Sequence, residues 1–318
     1  MLIIHHGALG DFIMTFPVIG GLKKIYSQID ALCQKRLGDL GRALHLIQKG
    51  YALESAAFAS LYGDHPALVN ASTAALLKSY ERIVLFARSR QLQENIERIA
   101  GLKVLRIPPR PPDDEPIHVS RFLWEHLAAA GLLEKVDPPS DPATPIPFLT
   151  LRPYAKSDSA PVLIHPGSGS RIKNWPLENF ILLAEMLRFK NFKPEFLLGP
   201  AEMNLHERLS RRCGANCAIH IISDLLHALS LMENAGGFIG NDSGLTHLAA
   251  VVGLPVTAIF GPSDPARWKP LGPAVAVVRS ATQCRPCHET DELACNPPGC
   301  LKGISPQMVH DAFSGLRT

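Results

Sequence analysis

A run of prolines cuts this chain nearly in half. Pro138, Pro139, Pro142, Pro145, Pro147, Pro153 and Pro161 crowd the middle of a 318-residue sequence. Each proline fixes φ and removes a backbone donor, so neither a helix nor a central strand runs through such a segment. The segment reads as a linker and predicts two domains, 1–150 and 151–318, each long enough to bury its own core. Strand and helix signals alternate on both sides of it. Before the linker, Leu2 to His6 is an apolar run ending in a glycine turn, Gly7 to Gly10, and Asp11 to Lys24 has apolar residues at helical spacing. Arg82-Ile-Val-Leu-Phe reads as a strand and Phe122 to Leu133 as a helix. After the linker come a strand at Val162 to His165, a helix from Pro176 to Phe189 and a strand from Glu195. A strand at Gly237 to Gly240, a helix from Gly244 to Val252 and a strand at Pro255 to Phe260 follow. Such alternation predicts an α/β protein with parallel sheets covered on both faces.

Composition excludes several classes. The apolar fraction is 46% and the charged fraction 19%, which excludes a disordered chain. Lys and Arg number 32 against 29 Asp and Glu, and a net charge of +3 is too weak to predict a nucleic-acid partner. No apolar run is long enough to span a membrane. The opening MLIIHHGALGDF lacks a basic leader with a long apolar run, so the expectation is a cytosolic start. Seven cysteines do not make a disulfide scaffold in a chain of this length.

Three glycine-rich turns join a strand to a helix, and each is a site candidate. In Gly7-Ala-Leu-Gly10-Asp11 the glycines let a ligand approach the backbone, and helix N-terminal N–H groups attract anions. Taken alone, Asp11 is better read as a helix cap, and the spacing is not that of a dinucleotide fingerprint. In His165-Pro-Gly-Ser168-Gly169-Ser170-Arg171-Ile-Lys173-Asn174-Trp175-Pro176, small residues expose N–H groups in a nest suited to phosphate. Ser168 and Ser170 add hydroxyls there, and Arg171 and Lys173 add charge; the alternative is a plain surface loop. In Gly240-Asn241-Asp242-Ser243-Gly244-Leu-Thr246-His247, Asp242 to Gly244 present polar groups to a second part of a ligand. His247 lies one turn into the helix, either donor-contacting or structural.

Taken in order with Phe260-Gly-Pro-Ser263-Asp264-Pro265, these motifs resemble the bacterial heptosyltransferases of glycosyltransferase family 9. The resemblance implies the GT-B fold, two Rossmann-like domains with parallel sheets facing across a cleft. It implies an acceptor-binding N-terminal domain and a C-terminal domain for the nucleotide-sugar donor. The implied reaction is inverting transfer of heptose from ADP-heptose to the inner core of lipopolysaccharide, with Kdo or heptose as acceptor. Asp11 would be the general base. Ser168, Gly169, Ser170 and Lys173 match donor diphosphate contacts, and Asp242, Ser243, Gly244 and His247 match the donor elbow. Enzymes of this kind use cationic side chains and a helix N-terminus in place of a metal, so no cofactor is implied. One departure stands out: His5, followed by His6, occupies a place where the family usually carries Arg or Lys. A sugar-nucleotide epimerase or hydrolase of the same fold, and a non-catalytic nucleotide-sugar-binding homologue, are the competing readings.

The acceptor implied is an anionic lipid, a lipopolysaccharide precursor met at the cytoplasmic face of the inner membrane. Between Lys78 and Arg110 eight basic residues face three acidic ones. This run is either a solvated face or a site for acidic groups; Arg88 and Arg90 from it, with Gly10, are the acceptor-binding candidates. Finally, Cys284, Cys287, Cys295 and Cys300, with His288 nearby, have spacing compatible with tetrahedral zinc. A metal-free structural loop is the favoured expectation.

Overall fold

The computed structural model describes residues 1–63, 69–136, 160–214, 217–281, 286–287 and 299–317. Most of the proline linker lies outside the described residues, as do Cys284, Cys295 and His288. The chain forms two compact units, Met1–Pro112 with Val119–Ile146 and Asp113–His118 with Pro147–Thr318.

The first unit is built on five strands: β1 (Leu2–His5), β2 (Asp30–Cys33), β3 (Gly50–Ala52), β4 (Ile83–Phe86) and β5 (Val104–Ile107). They lie in the order β3-β2-β1-β4-β5, all parallel. Apart from His5 at the end of β1, β1 and β4 are apolar without alternation, and both are buried along their whole length, as strands covered on both faces must be. Helix Arg90–Ala100 packs its apolar stripe of Leu92, Ile96 and Ile99 on this sheet. Ser89 starts that helix by accepting the Leu92 N–H at 3.1 Å, and Gly101 ends it with φ +72°.

The single helix expected from Asp11 to Lys24 is two, Leu9–Met14 and Phe16–Leu22. Thr15 sits at the junction, where its hydroxyl donates to the Phe12 carbonyl at 2.6 Å. Pro17, at the second position of the next helix, has no N–H to continue the ladder. The first helix also begins earlier than expected, so Asp11 is its third residue rather than its cap.

The second unit holds β6 (Val162–His165), β7 (Pro194–Leu198), β8 (Ile219–Ile221), β9 (Gly237–Asn241), β10 (Val256–Ile259) and β11 (Val275–Val278). Read from β8, the order is β8-β7-β6-β9-β10-β11, again all parallel. This is the doubly wound dinucleotide-type order, with its switch point between β6 and β9. Helices Leu177–Phe189 and Pro306–Gly315 cover one face around Phe180, Phe196 and Phe313. Arg267 ties residues 113–118 to this unit: it donates to the Glu115 carbonyl at 2.7 Å and lies 3.7 Å from the Asp113 carboxylate. His118 adds a 2.9 Å bond to the Lys269 carbonyl.

Candidate active site

In open parallel sheets, ligands bind beyond the carboxyl ends of the strands, where the strand order reverses. In the second unit that position belongs to the turns after β6 and β9. Asn241, the last residue of β9 and fully buried, joins the two turns. Its amide donates to the Pro166 and Gly167 carbonyls at 2.8 and 3.3 Å and accepts the Trp175 N–H at 2.9 Å. Ser168 closes the first turn on itself, with its hydroxyl 2.6 Å from the Ser170 carbonyl and 2.7 Å from Asn174 Oδ1.

This scaffold brings Lys173 to Asp242 and His247 from 69 positions before Asp242 in the sequence. Lys173 Nζ lies 3.0 Å from Asp242 Oδ2, and His247 Nε2 lies 3.5 Å from Asp242 Oδ1. Burial alone would push the Asp242 carboxyl up. The hydrogen bond from His247 and the charge of Lys173 reverse that and hold it well below the usual carboxylate range. An ammonium has three donors and Asp242 takes one, so Lys173 keeps donors for an anion. Ser243 caps helix Gly244–Val251, and its hydroxyl accepts the Thr246 N–H at 3.4 Å. Gly169 has open space where a Cβ would stand.

Glu202 belongs to this arrangement although no motif in the sequence singles it out. Its carboxylate accepts the Gly199 N–H at 3.0 Å and lies 3.8 Å from His165 Nε2. It packs so closely under the first turn that a Cβ on Gly167 would overlap it. Gly167 is therefore glycine for reasons of space.

The first unit has an open pocket of about 440 Å³ at its own switch point, beyond β1, β4 and β5. Its lining includes His6, Gly7, Asp11, Tyr62, Arg88, Ser89 and Arg110. Asp11 accepts the Ala8 N–H at 3.0 Å through Oδ2, so it caps the first turn from within and also lines the pocket. Beneath it His5 is buried against Phe12 and Phe86, with ring centroids 5.3 and 6.3 Å away. Burial, with His6 beside it, pushes its pKa down to about 3, so the ring is neutral. Gly7 leaves no room for a Cβ, which would stand 2.6 Å from Asp11 Cβ and 2.8 Å from His5 Cε1.

Of the acceptor candidates, Arg88 reaches this pocket. Arg90 pairs instead with Glu94 at 3.2 Å along its helix, and Gly10 lies within helix Leu9–Met14. Arg110, counted in the basic run but not singled out, lines the pocket. Among the described residues no His, Cys, Asp and Glu group is arranged to hold a metal ion. No helix among them is long and apolar enough to cross a membrane.

The profile of glycosyltransferase family 9 (heptosyltransferase) matches residues 141–296. The chain is also 25% identical, over 88% of both sequences, to lipooligosaccharide heptosyltransferase 2 of Haemophilus ducreyi. Over its second half the chain is similar to glycosyltransferase family 9. It is a glycosyltransferase, and its two doubly wound units are those of the GT-B fold. Solved structures of that fold superpose on it. The ADP-heptose lipopolysaccharide heptosyltransferase II of E. coli does so with a TM-score of 0.72 and 19% identity, covering 99% of this chain and 98% of its own. The family 9 glycosyltransferase of Veillonella parvula gives 0.76 and 16%, covering 99% and 96%. In this glycosyltransferase the profile match ends within the cysteine series and begins inside the linker, so it spans the turns after β6 and β9.

Proposed function

We propose that this enzyme transfers heptose from ADP-heptose to the inner core of lipopolysaccharide, with inversion at the anomeric carbon. The observation that carries the reading is the Lys173–Asp242–His247 cluster at the switch point of the second unit. It sets a cation with free donors beside the N-terminus of helix Gly244–Val251, a combination suited to a diphosphate. The names of the relatives, a lipooligosaccharide heptosyltransferase 2 and an ADP-heptose lipopolysaccharide heptosyltransferase II, support the same donor and acceptor classes.

Asp11 takes the proton of the acceptor hydroxyl. That oxygen attacks the anomeric carbon of heptose, the bond to the β-phosphate oxygen breaks, and ADP departs. Lys173 and the backbone N–H groups from Ser243 onward take up the negative charge developing on the diphosphate. Ser168, Gly169 and Ser170 shape the turn around it, and Asp242 with His247 fixes the ammonium and faces the sugar. Positive charge for the leaving group comes from the chain itself, so the reading assigns no cofactor. Cys284, Cys287, Cys295 and Cys300 have a structural role, and metal analysis of protein purified without chelator tests whether zinc is part of it.

Arg88 and Arg110 receive anionic groups of the acceptor in the first unit's pocket. Because that acceptor is a lipid, the enzyme works at the cytoplasmic face of the inner membrane. ADP release from ADP-heptose, followed with and without a Kdo-bearing lipid A acceptor, tests the whole reading. Acceptor-dependent release is expected. Release that ignores the acceptor would indicate a hydrolase, and donor binding without any release a non-catalytic protein.

A further inference from the structure

The first unit's pocket contains a residue that the mechanism above does not use. Tyr62 lines it and is 46% exposed, on a short helical turn, Ser60–Tyr62. An exposed tyrosine on such a turn is ordinarily free to swing. Here the backbone on both sides of it is held. Leu61 is buried in the core, and Asn95, fully buried, donates to the Leu61 carbonyl at 3.0 Å and the Gly63 carbonyl at 2.9 Å. Gln91 in turn donates to Asn95 Oδ1 at 3.0 Å. A buried amide giving both its donors to the carbonyls that flank one exposed side chain fixes where that side chain starts.

The far end of Tyr62 is held as well. Its ring stands edge-on to His6, with centroids 5.5 Å apart and planes at 81°, and its hydroxyl is hydrogen-bonded to His6 Nε2. The Phe86 carbonyl beside the His6 ring favours a proton on it. With the neutral ring's proton on Nδ1, toward that carbonyl, Nε2 is left as a lone pair. The Tyr62 hydroxyl then donates to Nε2, and its oxygen has only lone pairs to offer the pocket.

We propose that Tyr62 determines acceptor specificity: its phenol oxygen, oriented by His6, accepts a hydrogen bond from a hydroxyl of the acceptor sugar. The inference rests on the acceptor reading of this pocket. It adds a requirement that the arginines do not impose. Arg88 and Arg110 only donate and select anions, whereas the phenol oxygen selects a hydroxyl at one fixed place. Burial raises the Tyr62 pKa to about 12 and lowers that of His6, so at neutral pH the phenol keeps its proton and the imidazole stays uncharged.

Tyr62→Phe keeps the ring and removes the oxygen. In the ADP-release assay with a Kdo-bearing lipid A acceptor, the variant should show an acceptor KM about three- to tenfold higher, the loss of one neutral hydrogen bond. Its kcat and its KM for ADP-heptose should stay within about twofold, a margin well below one hydrogen bond. An unchanged acceptor KM would overturn the proposal, as would a rise in donor KM of the same size. Titration of both proteins with delipidated inner-core oligosaccharide, without donor, separates the two readings. Absent transfer with binding that weakens in Tyr62→Phe would sink the enzymatic reading alone. Equal binding by both proteins, or none by the wild type, would sink the Tyr62 proposal. The nitrogen NMR spectrum of His6 gives a third reading: a protonated Nδ1 is expected, and a protonated Nε2 would reverse the direction of the bond and overturn it.

Discussion

At the ends of β6 and β9 the polar side chains are largely buried and are held within the fold: Lys173 and His247 on Asp242, Asn241 on three backbone groups. At the corresponding ends of β1 and β4, Asp11, Arg88 and Arg110 line an open pocket, and neither arginine makes an ion pair among the described residues. Physical chemistry requires this difference to have consequences. A buried charge without a partner is strongly destabilising, so the second unit's set is held by the fold itself. Exposed charges contribute little to stability, so the first unit's set answers to a ligand almost alone. Substitutions in the second site should therefore damage stability and donor binding together, and those in the first should damage activity only.

The sharpest test of that contrast is Asp11→Asn. The amide oxygen still accepts the Ala8 N–H, so the helix start survives. Transfer should fall by about two to four decades while ADP affinity and melting temperature hold. A parallel loss of stability would erase the contrast, and near-normal activity would return Asp11 to a cap.

Asp242→Ala tests the opposite side. It leaves Lys173 and His247 without their shared carboxylate, and denaturant unfolding should show a loss of about 3 kcal/mol, the low end for a broken buried pair because Lys173 is partly exposed. A variant as stable as the wild type would mean that the cluster is not held by the fold. Lys173→Ala comes next: ADP binding measured by calorimetry should weaken by about 1.5–3 kcal/mol, the range for a charge-assisted hydrogen bond.

The smallest effect is one of pH. His5 titrates near 6.5 when unfolded and at about 3 in the fold, so the unfolded chain binds the extra proton between those values. Stability is fully present above about pH 6.5 and declines as the pH falls, by at most about 1.4 kcal/mol per unit. Asp242, whose pKa is depressed, acts only lower: its contribution is present above about pH 4 and is lost as the pH drops further. Melting curves between pH 7 and 4.5 should slope downward in the wild type and flatten in His5→Leu. An unchanged slope would remove His5 as its source.

Much of this was legible because it is local. An apolar run, a small-residue turn and a helix in succession located β6, β9, the Asp242 elbow and the loop carrying Lys173. Two of the strands that went unread lack that signature: Asp30–Cys33 opens on a carboxylate, and Gly50–Ala52 has three residues. Asp30 is tolerated there because Tyr80 donates to it at 2.7 Å, a partner fifty residues away. The basic run was visible as a run, but helix geometry turned Arg90 to Glu94, and β5 brought Arg110 to the pocket instead.

Sequence by itself determined the two α/β halves, the parallel sheets and the three turns, because periodicity and turn chemistry act over a few residues. Only the tertiary structure decided which side chains meet. It set Lys173 on Asp242 across 69 positions, Glu202 under Gly167, and Tyr62 on His6 across 56. Such pairs depend on which strands lie side by side at the switch points. Strand order is fixed by burying each sheet's two faces at once, a property of the whole domain that no short window of sequence contains.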